Sequence, residues 1–185
     1  MPRAPDIAYE NLSTEQRKVH DTIVAGPRGR IEGPLKVWLA SPDLAERAQE
    51  LGVFCRYQTS LPPRLSELAI LIVGAFWRAG YEWHAHAPLA RKAGLDPGAI
   101  EAIRTGKTPQ LVRADEAALY DFARELLEHH RVKETTYARA LTELGIQQLV
   151  ELVGILGYYG LISMTINAFD VALPSGAPEP FTQGE

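Results

Sequence analysis

Apolar residues along this chain recur at three- and four-residue spacing, and period-two alternation is scarce, so the pattern predicts helices throughout. Ser13, with Gln16 three positions later, has the form of a capping box and predicts a helix over about 14–25. Gly26, Pro27 and Gly29 then break the chain. Ser41 reads as the next N-cap, with Pro42 at the first helical position and Asp43 near the positive end of the helix dipole. Leu44, Ala48 and Leu51 share one side of that helix. Pro62 and Pro63 open a helix over about 64–79, and Gly80 marks a joint. A second helix follows over about 81–93, bent at Pro88, which removes one backbone hydrogen bond, and ended by Gly94. Asp96 and Pro97 start a short helix to Arg104, residues 106–109 form a turn, and further helices are predicted over about 114–130, 133–144 and 147–169.

Helices joined by short turns, with no strands between them, define an all-α array. We read it as one domain over residues 1–185, with a helical extension at 1–40 and an extended Pro-rich tail at 171–185 that wraps over a neighbour. The run from Leu68 to Ala75 is apolar nearly all round and belongs in the interior. Leu152 to Asp170 carries no charge before Asp170 and approaches the length of a bilayer span. Gly154, Gly157 and Gly160 interrupt it, polar side chains such as Ser163 and Asn167 lie within it, and no Lys or Arg flanks it. It therefore reads as a core or subunit-interface helix whose glycines allow close packing, and no membrane partner is expected.

Charge narrows the function classes. The 185 residues hold 19 basic and 23 acidic side chains, a net charge of −4. No basic surplus is available to neutralise phosphates, so nucleic acid is not an expected partner. Cys55 is the only cysteine. That excludes an intrachain disulfide and a zinc site built on two thiolates. Met1 to Asp6 lead into no apolar stretch, so no signal peptide is read and a cytoplasmic location is expected.

Candidate chemistry centres on Glu82 and His86, four apart and so on one helical face. A carboxylate beside an imidazole raises its pKa and orients the ring, which suits proton transfer near neutral pH. Such pairs also occur on ordinary solvated helices. Glu67 sharpens the picture, because it begins a run that should be buried, and a buried carboxylate needs partners. Arg64, three residues earlier, and His86, on the next helix, are the candidates.

These residues carry a resemblance. Leu61 to Leu71, then Tyr81, Glu82, Trp83 and His86, then Ala90, Gly94 and Leu95, resemble the carboxymuconolactone decarboxylase family, whose superfamily includes the AhpD-type alkylhydroperoxidases. The segment from Asn167 to Pro174 is similar to the ending of longer members. The resemblance implies an AhpD-like orthogonal helical array, assembled as a trimer or hexamer. AhpD-type members have a Glu, a Cys-x-x-Cys pair and a His. Glu67 and His86 fall on the first and last of these, but the cysteine positions are Ala79 and Glu82. A dithiol peroxidase needs both thiols, so that mechanism is not expected.

The decarboxylase branch typically has Glu at the second cysteine position, as Glu82 is here. It implies loss of carbon dioxide from a small carboxylated lactone with no metal or organic cofactor. His86 is then the proton donor, and Glu82 or Glu67 sets its tautomer and pKa. A cation must hold the substrate carboxylate, and Arg78, Arg56 and Arg64 are the candidates. Arg78 is equally placed to pair with Glu82 four residues on.

Two rival functions stay open: a one-cysteine peroxidase at Cys55, beside Arg56, and a non-catalytic helical binding protein in which Glu67, Glu82 and His86 only satisfy one another. Cys55 also reads as a small buried residue. His84 and His86 are two apart and face different ways, and His129 with His130 ends a helix, so no metal site is expected. Trp38, Trp77 and Trp83 read first as core residues.

Overall fold

The computed structural model describes residues 3–4 and 6–181. The described residues form a helical array: α1 (Thr14–Ala25), α2 (Pro34–Trp38), α3 (Pro42–Tyr57), α4 (Pro63–Phe76), α5 (Gly80–Lys92), α6 (Pro97–Arg104), α7 (Ala114–His129) and α8 (Glu134–Ala168), preceded by a 3-10 turn at Tyr9–Asn11. No strand occurs among them.

The caps decide several boundaries. The Ser13 hydroxyl accepts from the Gln16 amide at 3.2 Å, and Gln16 Oε1 accepts from the Ser13 amide at 2.9 Å, completing the expected capping box. Asp96 caps α6 through the Ala99 amide at 2.9 Å. Gly94 (φ +95°) ends α5, with its neighbour Leu95 donating back to Ala90 at 3.1 Å. Ser41 departs from expectation: it precedes α3 but makes no side-chain cap.

The α4 helix is the centre of the molecule. Leu65 to Gly74 are all buried, and α5, α6, α7 and α8 pack around it. Arg64 ties its first turn to the start of α7 through Asp115 at 2.6 Å and through Glu116. On α3, the small residues Ala45, Ala48, Gly52 and Cys55 face inward, while Leu44 and Leu51 are exposed. The helix–helix approach there is too close for leucine, so the larger side chains point outward.

Two elements differ from expectation. The short α2 carries Leu35 and Trp38 into the core but has too few residues to show a period. The two expected C-terminal helices are contiguous in α8 apart from Gly145, whose φ 75° and ψ 164° are non-helical. The described part of the tail folds back on its own chain: Arg104 holds the Pro180 carbonyl at 2.6 Å, and Phe181 packs edge-on against Trp83 with ring centroids 5.4 Å apart. Residues 182–185 lie outside the described residues.

Among the described residues, α8 is the one helix long and apolar enough to cross a bilayer. Leu152, Ile155, Leu156, Tyr158, Tyr159 and Ile162 on it are buried against the protein. Among the described residues nothing lies within 4 Å of where a Cβ of Gly154 or Gly157 would stand, so close packing among them does not explain these glycines.

Candidate functional site

The joint between α4 and α5 sets the site. Arg78 takes a left-handed conformation (φ 50°) and turns the chain between the helices. Gly80 is not the joint itself; it begins α5, and a Cβ there would lie 2.7 Å from Oε1 of Glu179 in the returning tail. The turn brings Glu67 of α4 against Glu82 and His86 of α5. His86 Nδ1 lies 2.8 Å from Glu67 Oε2, and His86 Nε2 lies 3.0 Å from Glu82 Oε1. The first is a directed hydrogen bond. The second is an oblique charge contact, because Glu82 Oε1 is buried and receives no hydrogen bond.

All three side chains are removed from water, with His86 only 2% exposed. Burial disfavours the charged ring, but the Glu82 and Glu67 carboxylates outweigh it, and the His86 pKa is pushed up to about 9. Glu82 is in the first turn of α5, where the helix dipole also favours a carboxylate. The Tyr159 ring stands edge-on to His86 at 5.3 Å.

Glu82 and His86 form part of the wall of a cleft of about 600 Å³. Its other walls include Arg28, Arg56, Tyr57, Tyr81, Tyr158 and Tyr159. Burial pushes the Tyr158 phenol up to about 12 and the Tyr159 phenol well above its usual value, so both remain neutral O–H groups. Glu67 sits behind His86 and away from the cleft.

The expected cations divide. Arg56 lines the cleft. Arg64 is committed to Asp115 and Glu116 and does not line the cleft. Arg78 lines a separate groove beneath the tail, with its guanidinium 5.6 Å from the centre of the Phe181 ring. Glu82 is engaged with His86 and Arg78 lies outside α5, so the alternative use of Arg78, a helical pair with Glu82, does not form. Arg28 was missed, because it lies in a Pro-Gly loop with no periodic pattern, far in sequence from the motif.

Cys55 is fully buried and its thiol is pushed up to about 11, the opposite of what a thiolate nucleophile requires. Trp38 and Trp83 are core residues, and Trp77 borders the groove beneath the tail. His130 takes a left-handed conformation at the end of α7, where its amide donates to the Leu126 carbonyl at 2.9 Å. No cluster of His, Cys, Asp and Glu suited to a metal occurs among the described residues.

The all-helical array is an AhpD-like fold, and solved structures share it. An AhpD-core, peroxidase-related protein from Ralstonia eutropha JMP134 superposes with a TM-score of 0.75 at 16% identity, covering 94% of this chain and 93% of its own. A peroxidase-related protein from Silicibacter sp. TM1040 gives a TM-score of 0.73 at 15% identity, with 94% and 93% covered. The debrominase Bmp8, solved with 2,3,4-tribromopyrrole, gives 0.72 at 14% identity, with 92% and 90% covered. Residues 42–125, somewhat less than half of the chain, match the family described as "Carboxymuconolactone decarboxylase family". No curated protein matches the sequence.

Proposed function

We propose that this protein is a cofactor-free enzyme of the general acid–base type, a carboxy-lyase or related lyase acting on a small carboxylated lactone or similar carbonyl acid. The observation that carries this reading is the Glu67–His86–Glu82 chain buried in the wall of a cleft of about 600 Å³. That volume suits a small molecule, since such sites span roughly 300–1,000 Å³. A purely structural cluster would not need to border an open cleft. The debrominase solved with 2,3,4-tribromopyrrole gives further support, since it shows this architecture accommodating a small ring compound.

At neutral pH His86 is an imidazolium, and therefore an acid. When the substrate loses carbon dioxide, its C–C bond breaks and the electron pair moves onto the lactone carbonyl. As that pair returns from the carbonyl oxygen, the carbon next to the carbonyl takes the proton from Nε2, the ring nitrogen on the Glu82 side. Glu67 holds Nδ1 and keeps the ring turned toward the cleft. The neutral ring, left between two carboxylates, regains its proton from water. The neutral tyrosine phenols supply donors for the developing oxyanion.

The test is decarboxylation of 4-carboxymuconolactone followed by ultraviolet absorbance. The rate should be level from about pH 6 to 8 and fall as the pH passes about 9, where His86 loses its proton. His86→Ala should lower the rate roughly 10²- to 10⁴-fold. A folded His86→Ala protein with the wild-type rate overturns the reading.

The reading extends to assembly. We propose a homo-oligomer joined through the outer face of α8, where Ile146, Val150 and Val153 are exposed beside the uncontacted Gly154 and Gly157.

A further inference from the structure

The charges lining the cleft do not balance within the described residues. Arg30 pairs with Glu32 at 2.9 Å, and Glu82 is matched by His86. Arg28 and Arg56 have no carboxylate partner there. Arg28 Nη2 donates to the Tyr158 hydroxyl at 3.2 Å, while its Nε is buried with no hydrogen-bond partner. Arg56 lies over the Tyr57 ring at 5.4 Å. In a chain with a net charge of −4, two guanidiniums left without an acid in one cleft call for a physical reason.

Their placement is built into the fold. Arg28 bears on Tyr158 and Arg56 on Tyr159, and those two rings are edge-to-face with centroids 5.2 Å apart, so the cations share one wall. Gly52 of α3 lies beneath them. A Cβ there would stand 2.1 Å from the Tyr158 hydroxyl and 2.5 Å from Arg28 Nη2. Glycine inside a helix costs about 1 kcal/mol, and here it is what admits the Arg28–Tyr158 pair.

A buried guanidinium N–H without an acceptor is costly unless a ligand supplies one. In the same cleft, Glu82 Oε1 is likewise buried without a hydrogen bond. We propose that Arg28 and Arg56 form a clamp for the carboxylate of a flat, conjugated or aromatic acid. The ring of that acid lies between the tyrosines, and its far end faces Glu82 and His86. Tyr57, Tyr81, Tyr158 and Tyr159 supply the flat walls, and Leu35 and Ile162 the apolar contacts. Arg28 lies outside the family-matched segment 42–125, so the clamp adds a specificity determinant from the N-terminal extension. The assignment rests on the cleft being the substrate site, as proposed above, but not on His86 being the acid.

The test is calorimetric binding of benzoate, with benzamide as its uncharged isostere, to the full chain. Benzoate should bind about tenfold or more tightly than benzamide. Arg28→Gln and Arg56→Gln should each remove most of that preference while leaving benzamide affinity unchanged, and His86→Gln should preserve it. Equal affinity for the two ligands, no binding of benzoate, or a preference that survives Arg28→Gln overturns the clamp. Turnover lost in His86→Ala with no benzoate preference sinks the clamp alone. Benzoate preference with unchanged turnover in His86→Ala sinks the acid–base reading alone.

Discussion

His86 shows how one side chain joins stability to chemistry. Its pKa is about 9 in the folded chain against 6.5 for an ordinary histidine. A group whose folded pKa is raised stabilises fully below its unfolded pKa and loses that contribution as pH rises through the folded value. Stability by urea titration should therefore decline from about pH 6.5 to about 9, by an amount on the order of 3 kcal/mol. His86→Gln should flatten the profile in that window and lower the plateau, because two buried carboxylates then lose their cation. A wild-type profile that is level across the window would show that the ring is not held as a cation. Cys55 is a small buried core residue: burial raises its thiol, and no cation beside it reverses the effect.

Among the elements, the break in α8 sets how the final helix lies over α4. Gly145 adopts φ 75° and ψ 164°, a conformation essentially confined to glycine, with open space where a Cβ would stand. Gly145→Ala should destabilise the protein by about 1–3 kcal/mol through backbone strain alone, measured as a shift in urea midpoint at unchanged slope. An unchanged midpoint would mean that residues 144–146 straighten without cost. The same glycine was visible in sequence only as a gap between two helical patterns. In α3 the period was legible but not its inward face. Leu44 and Leu51 suggested an apolar side, yet Ala45, Ala48 and Gly52 make the contact.

At the scale of the whole molecule, α8 presents Ile146 at 59%, Val150 at 65% and Val153 at 45% exposure. Glycines at 154 and 157, with no atom of the described residues within 4 Å of where a Cβ would stand, lie on the same helix. Helical glycines weaken a helix by about 1 kcal/mol each, so their presence on an open face suits close approach of a second copy. Light scattering coupled to size exclusion should give a mass that is a multiple of the 20.4 kDa chain, and Val150→Lys should lower it. A wild-type chain that runs as a monomer at micromolar concentration would rule the interface out.

Much was legible in the sequence for a local reason. Capping residues, prolines and 3.6-residue periodicity act within a few positions, so the Ser13 box, the Asp96 cap, the buried α4 and the all-α class could be read directly. The four-residue spacing of Glu82 and His86 and the position of Glu67 on a buried helix likewise named the cluster that the fold brings together. Partner choice among charges was not legible, because it depends on which helices meet. Only the tertiary structure committed Arg64 to α7, sent Arg78 beneath the tail, buried Cys55 away from any activating charge, and brought Arg28 from the N-terminal extension across to Tyr158 in α8. A guanidinium on a flexible stem reaches several neighbours from one backbone position, and long-range packing decides which of them it meets.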